Sequence, residues 1–509
     1  MRVPVDWLRE YVAVPADADG AQIAADLVRV GLEEEGLHSG DITGPLVVGR
    51  VLEKTPEEEK NGKVINWCQV DVGDANGTGE PQGIVCGAHN FDVGDLVVVI
   101  LPGGVLPGGF EISARKTYGH VSAGMICSVL ELGIGEDHDG ILVLTDRSDA
   151  DQLVPGQDAI PLLGLDRETV EINVTPDRGY CFSIRGVARE YSHATGAPFV
   201  DPVLALTERA PAGNGGGHPV ELRDDAPIRG RQGCTRYVAR VVRGIDVSAP
   251  TPSWMATRLA EAGMRPISLP VDVTNYVMLG LGQPLHAFDA ATLAGPIVVR
   301  RARPGETMTT LDDVTRTLDE DDLLITEAGE RTLAIAGVMG GEDSEVTAAT
   351  TDVLIEAAHF DPVSVARSAR RHKLPSEASK RFERGVDPLL APAAAQLAVE
   401  LLVEHGGGTV DDGVTDVGGW APPAPIAMPV GMPSRIVGVD YDAATVERVL
   451  TEIGCTVEHA GDDEVLLVHP PSWRPDLRTG EDLTEEVARR LSKSPRVTVN
   501  IQHRDMGRE

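Results

Sequence analysis

The sequence predicts an α+β protein of several domains, and three observations predict it. Its 509 residues exceed what a single core holds, which implies about three to five domains. Strand-length apolar runs crowd into one stretch between Leu46 and Leu144, and beyond a Gly-rich break helical and strand patterns alternate.

Taken in order, residues 1–39 open with a short helix over Trp7 to Tyr11 and a second from about Ala21, where Ile23, Leu27 and Val30 share a face and Gly31 supplies a stop. The runs LVVGRVL, WCQVDVG, GIVCGA and DLVVVILPG, separated by Gly, Pro, Asn and Asp, then read as a closed β-barrel of about 100 residues. Residues 167–196 give a strand, a turn at Pro176 and Asp177, and a helix that Gly196 ends, so the N-terminal unit resumes after the barrel has interrupted it. PAGNGGGH, Pro211 to His218, reads as a flexible linker. An α/β region follows to about Glu404, with helices over Ser253 to Ala262 and Val363 to Arg371 and strands over Ile297 to Arg300, Thr332 to Ala336 and Val353 to Ala357. After a break at Gly406 to Gly408, residues 433–490 give a helix from Asp442 that ends at Gly454, a strand, the tight segment PPSWRPDL and a last helix from about Glu481. Leu491 to Glu509 reads as a frayed tail, and no internal repeat is visible. The expected domains are therefore 1–39 resumed at 154–205, 40–153, 211–404 and 409–490, with 491–509 as the tail.

With 45 Lys and Arg against 79 Asp and Glu, the formal charge is −34, which opposes indiscriminate binding to nucleic acid. Any polyanion has to be met on local basic patches, and Arg115 and Lys116 in the barrel are the candidates. The six cysteines are scattered with no CxxC pair, so neither a zinc ribbon nor a small disulfide framework fits. No 18-residue apolar run and no export signal is visible, and a cytoplasmic location is expected.

The segment VDVTNYVMLGLGQPLHAFD gathers Asp272, Thr274, Asn275, His286 and Asp289 among apolar residues. Each buried polar side chain costs roughly 1–3 kcal/mol unless partnered, so the mixture suggests either a lined pocket or a hydrogen-bonded loop network. Further on, LAIAGVMGGEDSEV places Gly337, Gly340 and Gly341 where backbone can approach closely, without a Walker lysine or a GxGxxG. VLIEAAHF carries Glu356 in an otherwise apolar strand, either facing solvent or belonging to that pocket. PSEASKRFERGVDP sets Arg381, Glu383 and Arg384 beside the small residues Ser376, Ala378 and Ser379, as a salt-bridged helix end would. In the last helix Asp482, Glu485 and Glu486 share a face, with Asp476 in the turn before it; such acids either complement a helix dipole or offer oxygen ligands to magnesium.

The segments VDVTNYVMLGLGQPLHAFD, AIAGVMGGEDSEV, SEASKRFERGVDP and PSWRPDL, in this order and spacing, resemble the β subunit of bacterial phenylalanyl-tRNA synthetase, and the nested barrel is similar to that family's tRNA-binding oligonucleotide-fold domain. The resemblance covers nearly the whole chain and implies an oligonucleotide-fold β-barrel inserted in an N-terminal α/β unit, an α/β editing domain and a small winged-helix-like domain. It implies a subunit of a phenylalanine–tRNA ligase of two α and two β chains, in which the α subunit attaches phenylalanine to tRNA with ATP while this chain binds tRNA and hydrolyses tRNA mischarged with tyrosine. Glu356 then matches the residue that accepts the tyrosine hydroxyl, Thr274 and His286 match polar residues of the editing site, and Gly337, Gly340 and Ala378 match small residues that leave room for the ring. Asp476, Asp482, Glu485 and Glu486 match a magnesium site shared with the α subunit. The family continues past EEVARR into further modules, whereas Leu491 to Glu509 departs from its pattern, so the resemblance implies a form shortened at the C-terminus. A stand-alone hydrolase of mischarged tRNA and a non-enzymatic tRNA-binding scaffold are the alternatives.

Overall fold

The computed structural model describes residues 1–58, 62, 64–134, 140–145, 147, 150–461 and 464–491; the expected tail from residue 492 lies outside them. The chain is mixed α+β and divides into two compact units, one formed by residues 1–37 and 169–509 and the other by residues 38–168.

In the unit of residues 38–168, five antiparallel strands lie in the order Met125–Ile126, Leu96–Ile100, Leu46–Glu58, Val64–Asp71, Gln82–Cys86. The run LVVVI is buried throughout, because apolar cores cover both faces of its sheet. The sheet curls until its edges meet: the Ala123 N–H donates to the Gly83 carbonyl at 3.0 Å and the Val85 N–H to the Ser122 hydroxyl at 3.0 Å. Arg115 and Lys116 stand exposed on a hairpin whose turn, Tyr118 and Gly119, has φ of 50° and 85°. Positive φ at both turn residues suits the right-handed twist of the flanking strands.

In the other unit, the strand Thr169–Ile172 pairs antiparallel with Arg2–Pro4, so the chain closes its first sheet only after residues 38–168. The helix Ile184–Thr195 follows, capped by the Ser183 hydroxyl at its start and by Gly196 at φ 78° at its end. Two sheets then build the centre. A five-stranded sheet is ordered Val220–Arg223, Ile297–Arg301, Leu323–Glu327, Arg331–Ile335, Met339–Gly340, with its first pair parallel. A four-stranded antiparallel sheet is ordered Leu285–Asp289, Asp352–Phe360, Cys234–Arg243, Thr409–Gly418. One face of the latter joins the five-stranded sheet in a shared core, and the other packs on the helices Leu269–Leu281 and Ala391–Gly406. A three-stranded sheet with helices Ala443–Glu452 and Gly480–Leu491 completes the unit.

One expectation is corrected. Pro211 to His218 is fastened rather than free: the Asn214 N–H donates to the Val414 carbonyl, its side-chain amide donates to the Asp412 carbonyl and accepts from the Val414 N–H, and the Thr415 hydroxyl donates to the His218 carbonyl at 2.5 Å. Asn214 gives the loop a side chain that mimics a strand's donor and acceptor, which composition alone does not reveal.

The last helix is held by a buried ionic cluster. Arg474 donates to Asp476 and to Glu486, Arg178 contacts Glu486 at 2.6 Å, and Arg489 donates to the second Glu486 oxygen at 2.6 Å. Burial pushes the Glu486 carboxyl up, but Arg474, Arg489 and Arg178 overcome it and hold the group at about 2. Removing one partner of such a cluster leaves a buried charge uncompensated, at a cost of about 3 kcal/mol or more. Arg474→Met is therefore expected to lower the unfolding free energy by about that amount in urea titration; an unchanged midpoint would show that the cluster does not anchor the helix.

Candidate functional site

The strand Asp352–Phe360 is apolar on both faces because both are covered. Val353 and Ile355 turn toward the helices, while Leu354, Ala358 and Phe360 enter the core between the sheets. Alternation puts Glu356 with the second set, a carboxyl where the pattern provides for a hydrocarbon. His286 is its direct partner on the neighbouring strand, and Ala239 is its partner on the other side. Tyr237, paired with Ala358, stands diagonal to Glu356 on the same face.

Glu356 and His286 border a cavity of about 80 Å³ between the sheets. Its other walls include Ile325, Ala334 and Gly340 from the facing sheet, Gly337 from the turn between its last two strands, and Ala378 and Phe382 from the helix Glu377–Arg384. The small residues are spatial requirements. A Cβ on Gly340 would lie 2.7 Å from His286 Cε1, and one on Gly337, whose φ is 69°, would lie 2.9 Å from the Phe382 ring. A capping box of Ser376 and Ser379 starts the Ala378 helix, and the Ser376 hydroxyl also donates to the Val338 carbonyl at 3.0 Å, tying helix to turn.

The electrostatics follow from burial. Glu356 is 5 % exposed and its carboxyl is pushed up to about 8 by desolvation, against a smaller opposing pull from the Tyr237 hydroxyl. Burial pushes His286 down to about 4, and its ring meets Phe288 edge-on at 4.4 Å. Within the protein, His286 Nε2, Glu356 Oε2 and the Tyr237 hydroxyl complete no hydrogen bond. An apolar cavity floored by a neutral imidazole and a carboxyl close to its ionisation point can receive a ring that carries one polar group.

Five of the six residues expected at this site, His286, Glu356, Gly337, Gly340 and Ala378, line the cavity together. Thr274 does not line it; it lies in the helix Leu269–Leu281, where its hydroxyl donates to the Val271 carbonyl at 2.7 Å. The polar segment around it also disperses. Asp272 fastens Thr251 and the Ile267 N–H, and Asp289 caps a short helical turn and holds Thr350. Tyr237 was not singled out by sequence reasoning, because a tyrosine in CTRYVARVV reads as ordinary strand core.

Asp476, Asp482, Glu485 and Glu486 are not gathered into a ligand set, and no group of three or more His, Cys, Asp or Glu side chains among the described residues is arranged to hold a metal ion. Asp476 and Glu486 spend their oxygens on arginines. Asp482 accepts the N–H groups of Arg478 and Thr479 at the helix start, and Glu485 stands exposed. In this arrangement the donor set does not fit magnesium, which needs oxygens free of competing cations. No helix among the described residues is long and apolar enough to cross a membrane.

Three family models match the chain: a putative tRNA binding domain over residues 46–151, a B3/4 domain over 233–407 and a tRNA synthetase B5 domain over 426–491. The chain is 53 % identical over 508 residues to the phenylalanine–tRNA ligase beta subunit of Bifidobacterium longum, covering 96 % of this chain and 58 % of that one. The beta subunits of Thermobifida fusca and Streptomyces avermitilis are 55 % and 56 % identical, each over 96 % of this chain and 57 % of its relative. The chain thus spans a little under three fifths of these relatives' length.

The raised Glu356 carboxyl has a thermodynamic consequence. Between the ordinary value of 4.5 and about 8 the folded protein keeps a proton that the unfolded chain has released, so this group's contribution makes stability fall as pH rises through that window. Glu356→Gln removes the contribution. The unfolding free energy of the variant relative to the parent is expected to grow by about 3 kcal/mol between about pH 4.5 and about pH 7, and a flat difference in urea titrations would contradict the buried acid.

Proposed function

Because this chain belongs, over the residues it spans, to the phenylalanine–tRNA ligase beta-subunit family, we propose that it binds tRNA and hydrolyses tRNA mischarged with tyrosine, as part of a complex whose α subunit attaches phenylalanine to tRNA with ATP. The observation that carries the reading is the direct cross-strand pair of His286 and Glu356 on the floor of a cavity otherwise walled by apolar and small residues.

Tyrosine exceeds phenylalanine by one hydroxyl, and an apolar pocket rejects an analogue with an added hydroxyl by only about 10²-fold. A site that requires the hydroxyl does better. The phenol O–H donates to the Glu356 carboxylate, whereas phenylalanine leaves that carboxyl buried and unpartnered, an asymmetry of roughly 10⁴-fold in favour of tyrosine. Hydrolysis joins the oxygen of water to the ester carbonyl carbon and breaks the bond to the ribose oxygen, which takes up a proton, releasing tyrosine and uncharged tRNA. His286, neutral at physiological pH because of its burial, offers Nε2 to orient water or substrate, and the tRNA's own hydroxyls complete the positioning. Gly337, Gly340 and Ala378 leave space for the ring, and Thr274 supports the helix behind the sheet rather than touching substrate.

In this reading the unit of residues 38–168 is an oligonucleotide-fold tRNA-binding domain with Arg115 and Lys116 as salt-sensitive phosphate contacts. Residues 211–404 form the editing domain and 409–490 a small winged-helix-like domain, with residues 1–39 and 154–205 as the N-terminal unit. The cytoplasm is the matching compartment. Magnesium and ATP serve the ligase reaction of the assembled complex, and no step of the hydrolysis is assigned to either.

Glu356→Ala and His286→Ala are each expected to reduce tyrosyl-tRNA hydrolysis at least tenfold in a deacylation assay while leaving far-UV circular dichroism unchanged; full activity in both variants would reject the site. Gly340→Ala is expected to impair hydrolysis by pushing His286 out of place, and wild-type rates in it would mean that the imidazole is not used. Mass measurement after co-expression with the α chain separates a complex subunit from a stand-alone hydrolase or a scaffold.

A further inference from the structure

Tyr237 lies beneath the cavity and has no role in the reading above. It is fully buried, in the strand Cys234–Arg243, within the core that also holds Ala239, Leu354, Ala358 and Phe360. A phenylalanine would fill that volume without burying a hydroxyl, and the Tyr237 hydroxyl completes no hydrogen bond. Glu356 Oε2, enclosed and equally unpartnered, belongs to the residue diagonal to Tyr237 on the adjacent strand, a separation that an aromatic side chain bridges. Two buried polar side chains, neither completing a hydrogen bond of good geometry, thus lie across one diagonal of the sheet, and each acts on the ionisation of the other.

We propose that Tyr237 is a positioning residue whose hydroxyl donates to Glu356 Oε2 when the carboxylate is ionised, leaving the other carboxylate oxygen to the substrate phenol and thereby setting the preference for tyrosyl over phenylalanyl esters. The inference rests on the assignment of Glu356 as acceptor of the substrate hydroxyl. A carboxylate with one oxygen fixed from below presents the second in a defined direction, whereas one free to rotate in an apolar pocket does not. The same hydrogen bond favours the charged form of a group that burial otherwise keeps protonated, the direction in which Tyr237 acts on Glu356. The titratable groups facing Glu356 are Tyr237 and Cys234 from one neighbouring strand and His286 from the other; Ile325, Ala334, Gly340, Ala378 and Phe382, which face it across the cavity, do not titrate.

The test uses the full chain and two non-hydrolysable probes, adenosine bearing a 3′-amide of L-tyrosine or of L-phenylalanine, with affinities measured by calorimetry from pH 5 to pH 9. In the parent protein the tyrosyl preference is expected to rise with pH as Glu356 ionises. Tyr237→Phe is expected to move that rise about one pH unit higher and to lower the preference about tenfold at neutral pH, with phenylalanyl affinity unchanged. An unchanged midpoint and preference in Tyr237→Phe would overturn the inference, as would an equal loss of affinity for both probes, which is what a packing role predicts. Glu356→Gln distinguishes the failures. If it keeps the parental preference, the assignment of Glu356 itself is wrong; if it abolishes the preference while Tyr237→Phe changes nothing, only the role of Tyr237 falls.

Discussion

The register between the strands Leu285–Asp289 and Asp352–Phe360 is the constraint on which the site depends. His286 faces Glu356 only in this register, and a shift of one residue would put the two on opposite faces of the sheet, one of them toward the helices where Ile355 and Ala287 now pack. What fixes it is apolar matching on both faces: Phe288 and Leu354 fill the core between the sheets, while Val353 and Ile355 are buried against the helices. The polar pair is thus placed by its hydrocarbon neighbours, and the core carries the cost of burying it.

That cost is visible in the ionisation of the two groups. Burial alone lowers His286 and raises Glu356, in opposite directions on the pH scale, so around pH 5 to 6 both are neutral. Neutrality lets the pair sit in an apolar cavity without a counterion, and it separates this site from the Arg474 cluster, where charges of both signs are buried together and hold Glu486 near 2. Among the described residues, Glu356 has no cation beside it in its cavity, whereas Glu486 is met by three arginines. The contrast explains why Glu356 fits a site and Glu486 an anchor, although both are buried glutamates.

Much of this was legible in the sequence, and the parts that were not share a cause. Helix ends at Gly196 and Asp442 act through neighbours in sequence, so the pattern reveals them. His286, Gly337, Gly340, Glu356 and Ala378, which line one cavity, could be grouped in the sequence only through their match to a family and not through periodicity, since they come from four separate segments joined by tertiary packing. Local reading failed where a polar residue had two plausible partners. Thr274 bonds its own helix, Asp272 a preceding loop, and Asn214 a strand two hundred residues away. The acids expected to act together are separated, Glu485 exposed and Glu486 buried, and two of the arginines that occupy Glu486 come from residues 178 and 474, which helical spacing cannot place. Tyr237 escaped notice because one hydroxyl in a hydrophobic strand leaves no trace in the pattern.

Selecting tyrosine by its hydroxyl requires a pocket that is worse for phenylalanine than for tyrosine, which hydrocarbon walls cannot supply. It follows that the acceptor has to be buried, since an exposed carboxylate deprived of its ligand would turn to water and lose the asymmetry. It also has to remain able to ionise, since a carboxyl kept neutral accepts a weaker hydrogen bond. These two demands oppose each other: deeper burial sharpens the penalty for phenylalanine and weakens the acceptor for tyrosine. A fixed donor behind the carboxylate reconciles them, because it favours the charged form without admitting water. In this fold the one hydroxyl lying diagonal to Glu356 on the adjacent strand is that of Tyr237.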